Sequence, residues 1–297
     1  MNIYKLGLYE KAMPGSLCWY DKLTTAKNAG FDYVEMSVDE TDAKLSRLDM
    51  PAKERLDLVE TMFSTGIPIR TICLSAHRKY SLGSTDPAIS GKGMEIMRKA
   101  IQLADDLGIR MIQVAGYDVY YEESTPATAA GFEVNIMEAT RMAARSGIML
   151  GFETMETEFM NTVEKAMKYV SLASSPYLQV YPDCGNLTNA ALGYGSDILA
   201  DLRCGEGHLA ALHLKETLPG IYRDMAFGKG HVDFEAVISE AWSLGVRRYV
   251  TEFWYEDSEN WRQDLFSTRQ MITAILDKQK QNNDGAADIF SESQANR

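Results

Sequence analysis

The segment Leu178-Gln-Val-Tyr-Pro-Asp-Cys-Gly-Asn186 decides the fold that we predict for this chain. Its apolar residues suit a buried strand. Pro182 lacks the backbone donor that the next ladder hydrogen bond needs, so the strand should stop there. Asp183 is then left at the carboxyl end of the strand, and residues 184–186 should turn the chain away. Functional residues gather at that end in parallel α/β folds. A single segment of this kind is typical of a simple turn. Three other predicted strands in the chain, however, also end or nearly end at a polar side chain.

Strand-like and helix-like segments alternate along the whole chain. Glycines that can end helices precede many of the strands, which favours parallel pairing. The pattern predicts eight strands, at 6–9, 33–38, 70–76, 111–115, 149–153, 178–181, 209–215 and 248–253. Eight strand–helix units in 297 residues predict a single (β/α)8 TIM barrel. A doubly wound open sheet is the alternative, but we find no glycine-rich dinucleotide or phosphate loop of the required pattern.

Helical spacing fills the intervals between the predicted strands. The predicted helices are 19–28, 51–65, 94–107, 126–146, 162–172, 196–203, 234–244 and 265–278. The barrel domain should therefore span residues 1–278. Residues 279–297 are mostly polar, and we predict that they form a disordered C-terminal tail.

Composition excludes several classes of protein. Hydrophobic residues make up 45% of the chain and charged residues 24%, as is typical of a globular protein. No apolar run approaches the ~20 residues of a membrane helix, and we expect no signal peptide. The four cysteines form no CxxC pair, which favours a reducing cytoplasm. The net charge of −12 disfavours a nucleic-acid partner.

The last four predicted strands each end, or nearly end, in a polar side chain. These residues are Glu153, Asp183, His213 and Glu252. A lone histidine or glutamate at a strand end is usually structural. Three carboxylates and an imidazole on consecutive strands would, however, meet at one barrel mouth and repel each other without a cation. We therefore predict a site for a divalent ion, with Mn²⁺, Mg²⁺, Co²⁺ and Zn²⁺ all compatible with these ligands.

Further candidates surround these four residues at the same end of the barrel. His77 and Arg78 follow the third strand; they form either an exposed basic turn or a contact for a substrate hydroxyl and phosphate. Lys215 lies two residues after His213, so both side chains share one face of the strand. We predict that Lys215 contacts substrate, the alternative being a solvated lysine.

Three more polar residues and one loop are weaker candidates. Glu156 suits a sugar hydroxyl, although acids in loops are commonly just solvated. Asn186 either binds substrate or makes an Asx-turn. Glu35 in the second strand either reaches the barrel mouth or forms a buried salt bridge. The segment Phe227-Gly-Lys-Gly230 resembles a phosphate-binding loop only weakly, because two glycines around a lysine are common by chance.

Five sequence runs resemble one enzyme family, the ketopentulose-5-phosphate 3-epimerases of the ascorbate-utilisation type. These enzymes act as L-xylulose- or L-ribulose-5-phosphate 3-epimerases and have also been labelled hexulose-6-phosphate isomerases. The wider group is the xylose-isomerase-like barrel. The resemblance covers about residues 5–278, and the runs that carry it are 31–41, Leu74-Ser-Ala-His-Arg78, Gly116-Tyr-Asp-Val-Tyr-Tyr121, Pro182-Asp-Cys-Gly-Asn-Leu187 and His213-Leu-Lys-Glu-Thr217.

The resemblance implies a metal quartet made of the same four strand-end residues. It also implies that the substrate O2 and O3 chelate the metal. One of Glu153 and Glu252 then removes the C3 proton to give a cis-enediolate, and the other returns a proton on the opposite face. Inversion next to a carbonyl needs a base on each face and a Lewis acid for the developing oxyanion. The implied partners are a sugar-phosphate substrate and, as in many relatives, a second copy of the chain in a homodimer.

Two positions depart from patterns among the relatives. Enzymes that act on free ketohexoses have a histidine three residues after the aspartate, where this chain has Asn186, as in the phosphopentulose branch. Lys229 stands where many relatives have an acid. The resemblance therefore does not define the substrate contacts of this loop, although it still implies the metal site.

Three other functions compete with the 3-epimerase. An aldose–ketose isomerase could use the same barrel and metal for a 1,2-shift. An endonuclease-like barrel usually needs more histidine and carboxylate ligands, and this chain has only four histidines. A catalytically silent sugar-binding barrel would not need the two opposed glutamates.

Overall fold

The computed structural model describes residues 3–295, with side chains through residue 282. This part of the chain contains all eight predicted strands. They are β1 (Lys5–Tyr9), β2 (Tyr33–Val38), β3 (Ile69–Leu74), β4 (Met111–Ala115), β5 (Met149–Glu153), β6 (Leu178–Val180), β7 (Leu212–Leu214) and β8 (Arg248–Thr251). The α-helices are α1 (Trp19–Asn28), α2 (Asp42–Leu45), α3 (Ala52–Thr65), α4 (Pro87–Asp106), α5 (Pro126–Arg145), α6 (Val163–Ala173), α7 (Cys184–Tyr194), α8 (Ile198–Arg203), α9 (Phe234–Ser243) and α10 (Trp261–Ala295).

The strands form one parallel sheet that closes into a (β/α)8 barrel, as predicted. Each strand from β1 to β6 pairs with its neighbour in the chain, and β1 also pairs with β8, which pairs with β7. Two isolated parallel bridges join β6 to β7, one between Val180 and Leu209 and one between Asp183 and His213. The backbone N–H of His213 donates to the carbonyl of Pro182 at 2.9 Å. The barrel seam therefore lies where Pro182 ends the β6 ladder.

Two helix predictions need correction. The sequence predicts a turn at residues 184–186, but helix α7 begins at Cys184, because Asp183 acts as its N-cap and accepts from the Asn186 N–H at 2.7 Å. Helix α4 begins at Pro87, earlier than predicted, because Asp86 caps it and proline is well tolerated in the first turn.

The last helix crosses the predicted domain boundary. Helix α10 starts at Trp261 and continues beyond residue 278 to Ala295. Residues 296–297, and the side chains from 283 onward, lie outside the described part of the chain. The division into a barrel of residues 1–278 and a tail of residues 279–297 therefore stays a prediction. No helix within 3–295 is both long and apolar enough to cross a membrane.

Large side chains fill the interior of the barrel, and glycines make room for them. The ring of Tyr33 lies over Gly7, where an added Cβ would be 2.4 Å from the ring. A Cβ added at Gly151 would be 2.8 Å from the Cβ of Tyr181. A separate and larger apolar core lies between the outside of the sheet and the helices. The interior cluster comprises Tyr9, Tyr33, Cys73, Met111, Tyr181, Ala211 and Val250.

The substitution Gly7→Ala should destabilise the barrel. The new methyl group would overlap the buried Tyr33 ring, and overpacking of this kind costs about 1–3 kcal/mol. The free energy of unfolding in urea measures the effect. Gly91→Ala in α4 is the matched control, because an added Cβ there has no neighbour within 4 Å and should leave stability equal or slightly higher. Equal stability of both variants would contradict the proposed packing.

Candidate metal centre and substrate cleft

Four side chains converge at the carboxyl ends of the last four strands. Glu153 is the last residue of β5, His213 is the middle residue of β7, and Glu252 follows β8 directly. Asp183 stands between β6 and α7. One ligand atom from each lies within 4.8 Å of the others, and all four residues are buried. The structure thus brings together the four residues that the sequence selected.

The cluster carries more negative than positive charge. Burial raises the pKa of Glu153, and repulsion by the Glu252 carboxylate raises it further. Burial also raises the pKa of Asp183, although the Lys215 ammonium, 3.3 Å from Asp183 Oδ2, opposes that rise. Both shifts indicate that Glu153 and Asp183 lack full charge compensation. Burial alone would raise the pKa of Glu252 as well, but the nearby charges of Lys215 and His213 lower it. A divalent cation supplies that compensation and favours the ionised forms of all three acids.

The atoms available in the cluster fit a divalent ion. Asp183 Oδ1 is used in capping α7, whereas Oδ2 is buried and, apart from its ion pair with Lys215, has no hydrogen-bond partner among the described residues. His213 Nδ1 lies 3.2 Å from Glu252 Oε2 and 3.7 Å from Glu153 Oε1. Three carboxylates and one imidazole are a ligand set that Mn²⁺, Mg²⁺, Co²⁺ and Zn²⁺ accept.

A small cleft of about 50 Å³, partly open to solvent, lies over the cluster. Four of the five predicted substrate residues line it, namely Arg78, Glu156, Asn186 and Lys215. Asn186 Nδ2 donates to the Thr154 carbonyl at 2.7 Å, whereas its Oδ1 is buried without a hydrogen-bond partner in the described part of the chain. The Lys215 ammonium lies 3.7 Å from Glu252 Oε2, so it is not a solvated lysine. These residues can contact a ligand bound over the metal ligands.

His77 lies outside this cleft. It is buried in the turn Ser75–Arg78, and its Nε2 is 3.1 Å from the Gly93 carbonyl of α4. Burial lowers its pKa to about 4, although the hydrogen bond to Gly93 opposes that shift. The geometry gives His77 a packing role between the turn and α4, and we do not include it in the proposed site.

The segment Phe227-Gly-Lys-Gly230, the weak candidate for a phosphate-binding loop, contacts the side-chain carboxylate of Glu216. Gly228 N donates to Glu216 Oε2 at 2.9 Å, and Val232 N donates to Glu216 Oε1 at 3.1 Å. A Cβ added at Gly230 would lie 2.3 Å from Glu216 Oε1, so only glycine leaves room for this carboxylate. These loop N–H groups are therefore occupied, and Phe227-Gly-Lys-Gly230 is not a free phosphate cradle.

Sequence reasoning missed several residues of the cleft. Tyr222 and Arg223 line it from the loop between β7 and α9, where no periodic pattern exists to select them. Tyr117 lines it from the loop after β4, and its hydroxyl is buried with no hydrogen-bond partner among the described residues. Two features of the segment 116–121 could have pointed to Tyr117, namely its aromatic residues and its place among the runs that carry the family resemblance.

A family model described as xylose isomerase-like TIM barrel matches residues 23–271. The chain belongs to the xylose isomerase-like TIM barrel family. The L-ribulose-5-phosphate 3-epimerase UlaE of Salmonella paratyphi A is 43% identical over 274 residues, which cover 92% of this chain and 95% of that protein. The enzyme of the same name from Salmonella paratyphi C (strain RKS4594) is 44% identical over 272 residues, covering 91% and 94%. The resemblance noted in the sequence is therefore confirmed, and within this barrel family the chain belongs with the UlaE epimerases.

The solved structures confirm the barrel. One structure, of an L-ribulose 3-epimerase, matches with a TM-score of 0.75 and covers 95% of this chain and 98% of that chain at 18% identity. At this identity the likeness establishes the fold alone.

The substitution Asp183→Asn should separate the two roles of this residue. Asparagine caps helices about as well as aspartate, so α7 and the fold should persist. The charge on Oδ2 is lost, and the affinity for Mn²⁺ should fall at least tenfold, as measured by calorimetry. Asp197→Asn, at the N-cap of α8, is the control and should bind Mn²⁺ like the wild type. Wild-type affinity in Asp183→Asn would exclude Asp183 as a ligand.

Proposed function

We propose that this chain is a divalent-metal-dependent 3-epimerase that interconverts L-ribulose 5-phosphate and L-xylulose 5-phosphate. The observation that carries the proposal is the placement of Glu153 and Glu252. Glu153 ends β5 and Glu252 follows β8, and these strands lie well apart around the barrel, yet both side chains reach the same buried cluster. The UlaE relatives, named as L-ribulose-5-phosphate 3-epimerases, support the substrate.

The two glutamates suit an inversion at C3. One carboxylate takes the C3 proton from one face of the sugar, and the other delivers a proton to the opposite face. The metal ion, held by Glu153, Asp183, His213 and Glu252, supplies Lewis acidity next to the reacting carbon when it is bound. Lys215, buried beside Glu252, adds a positive charge near the oxygen on which negative charge develops.

Arg78 and Tyr117 suit the phosphate end of the substrate. The Arg78 guanidinium lies 4.8 Å from the centre of the Tyr120 ring, which orients it in the cleft. Arg78 Nε and the Tyr117 hydroxyl are both buried, and neither makes a hydrogen bond of regular geometry in the described part of the chain. The guanidinium lies beside the Tyr117 hydroxyl, and the two together offer a phosphate a cation and several N–H and O–H donors. Glu156 and Asn186 Oδ1 then face the hydroxyls of the sugar.

Three further assignments complete the proposal, namely the compartment, the oligomeric state and the metal. We expect a cytoplasmic enzyme, and all four cysteines are free, as they would be in a reducing compartment. We also expect a homodimer, as the family resemblance implies. The metal used in the cell should be Mn²⁺, Zn²⁺, Co²⁺ or Mg²⁺.

Proton NMR in D2O tests the function directly. Metal-free enzyme is loaded with Zn²⁺ or Mg²⁺, which are diamagnetic, and is incubated with L-xylulose 5-phosphate. Deuterium should enter C3 while L-ribulose 5-phosphate appears. Exchange at C1, with formation of an aldose, would instead indicate the isomerase. No exchange with bound metal verified would reject both reactions of this substrate.

The variants Glu153→Gln and Glu252→Gln should each lose turnover by a factor of about 10²–10⁴, the usual contribution of a positioned acid or base. Each variant should still fold, because glutamine keeps the shape of the side chain. Steady-state kinetics at saturating metal measure the loss, and Glu158→Gln in the loop after β5 is the control. Near-native turnover in either variant would rule out the two-base scheme.

The substitution Arg78→Met should impair only phosphorylated substrates. It removes the charge but keeps an apolar stem against Tyr120. Losing a charged hydrogen bond costs about 1.5–3 kcal/mol, so kcat/KM for L-ribulose 5-phosphate should fall by about 10- to 100-fold. The slow reaction of unphosphorylated L-ribulose should be unchanged. Lys79→Met, at the exposed neighbouring cation, is the matched control. Equal losses on both sugars would contradict the phosphate role.

A further inference from the structure

We propose that Glu35 is a positioning residue that fixes the tautomer of His213 and so directs Nδ1 at the metal ion. This inference rests on the metal centre of the proposed function. Glu35 lies in β2, across the barrel from β7, and does not line the cleft. Its side chain is fully buried, as is that of His213. Glu35 is therefore neither a substrate contact nor a surface charge.

The contact between these two residues is short and direct. Glu35 Oε1 lies 2.6 Å from His213 Nε2. A carboxylate only accepts hydrogen bonds, so Nε2 must carry the proton in this contact. Nδ1 is then left with its lone pair, on the side where Glu153 and Glu252 lie. Metal ligation requires such an unprotonated nitrogen.

Two hydroxyl groups hold the Glu35 carboxylate in the orientation that this contact requires. Thr71 Oγ1 donates to Glu35 Oε2 at 2.6 Å, and the Tyr181 hydroxyl donates to the same oxygen at 3.1 Å. Oε2 is thereby fixed, and Oε1 faces the imidazole. Among the ion pairs of the described residues, Glu35 has His213 as its partner and no lysine or arginine. Its charge is therefore directed at the imidazole.

A second group, Gln113, contacts the other ring nitrogen of His213. Gln113 Nε2 lies 3.1 Å from His213 Nδ1. An amide N–H can donate to Nδ1 only when Nδ1 is unprotonated. Nδ1 also lies 3.2 Å from Glu252 Oε2, a contact that by itself favours a proton on Nδ1. The assignment of the proton to Nε2 therefore rests on the Glu35 contact, which at 2.6 Å is the shorter of the two. The negative charge of Glu35 also makes the imidazole a stronger donor of electrons to a metal ion.

The test measures metal affinity and not only turnover. Apoenzyme is titrated with Co²⁺ in competition with a fluorescent chelator, and the visible absorption bands of bound Co²⁺ are recorded. Glu35→Gln should weaken Co²⁺ binding by about 10- to 100-fold and shift the absorption bands. A carboxylate that hydrogen-bonds to a metal-ligating histidine influences both the metal affinity and the orientation of the ligand. Tyr33→Phe is the matched control: it also removes a polar group inside the barrel, but one bonded to the Tyr249 carbonyl. It should leave Co²⁺ affinity within about twofold of the wild type.

A second variant keeps the inference testable if Glu35→Gln does not fold. Thr71→Val is nearly isosteric and removes one of the two hydroxyls that orient Glu35. It should weaken Co²⁺ binding by about 3- to 10-fold. Wild-type affinity and an unchanged Co²⁺ spectrum in the folded Glu35→Gln or Thr71→Val enzyme would overturn the inference while leaving the proposed function intact. Failure of the wild type itself to bind Co²⁺, Mn²⁺ or Zn²⁺ would instead reject the metal centre on which the function depends.

Discussion

The hydrogen bond from His213 N to the Pro182 carbonyl is the contact on which the candidate site depends. It closes the barrel at the point where β6 can no longer pair regularly. The closure sets Asp183 opposite His213 in a parallel bridge, so the backbone of the fold fixes the distance between two of the four proposed ligands. The same aspartate caps α7, which makes the start of that helix part of the candidate metal centre. Stability and ligand geometry are therefore coupled at this seam.

Charge is distributed in two shells around His213. Above it, three carboxylates and the Lys215 ammonium face the cleft, and the carboxylates exceed the nearby positive charge. Below it, a fourth carboxylate, Glu35, is buried inside the barrel with two hydroxyl donors. The upper shell can bind a cation and exchange protons. The lower shell has no access to the cleft and can only orient the imidazole. This division lets one end of the barrel be reactive while its interior stays fixed.

The parts of the site that could be predicted from the sequence are those that follow strand periodicity. Glu153, Asp183, His213 and Glu252 each end an apolar run, and parallel strands bring such ends together. Helix α7 could not be predicted, because an Asp-x-Gly sequence after a proline is also typical of a turn. The distinction depends on the hydrogen bond between Asp183 and Asn186, which propensity does not reveal.

Long-range contacts explain what the sequence could not resolve. Glu35 and His213 are 178 positions apart, so the sequence left both a barrel-mouth role and a buried salt bridge open for Glu35. Glu216 occupies the loop that resembled a phosphate site, a contact that no local pattern encodes. His77 was selected for its place after a strand, yet its side chain turns towards α4. Position along a strand predicts which end of the barrel a residue occupies, but not which way its side chain points.

The fit of tyrosine rings over glycines inside the barrel limits how this scaffold can be redesigned. Tyr33 fills the space above Gly7, and Tyr181 fills the space beside Gly151. Neither member of a pair can be enlarged alone. A sequence library that varies one position at a time would therefore miss the combinations in which the glycine is enlarged and the tyrosine is made smaller. Tyr181 also donates to Glu35, which ties its pair to the proposed metal centre, whereas Tyr33 bonds to a backbone carbonyl. The Gly7–Tyr33 pair is therefore the better place to begin joint randomisation when the aim is a new barrel interior with the chemistry retained.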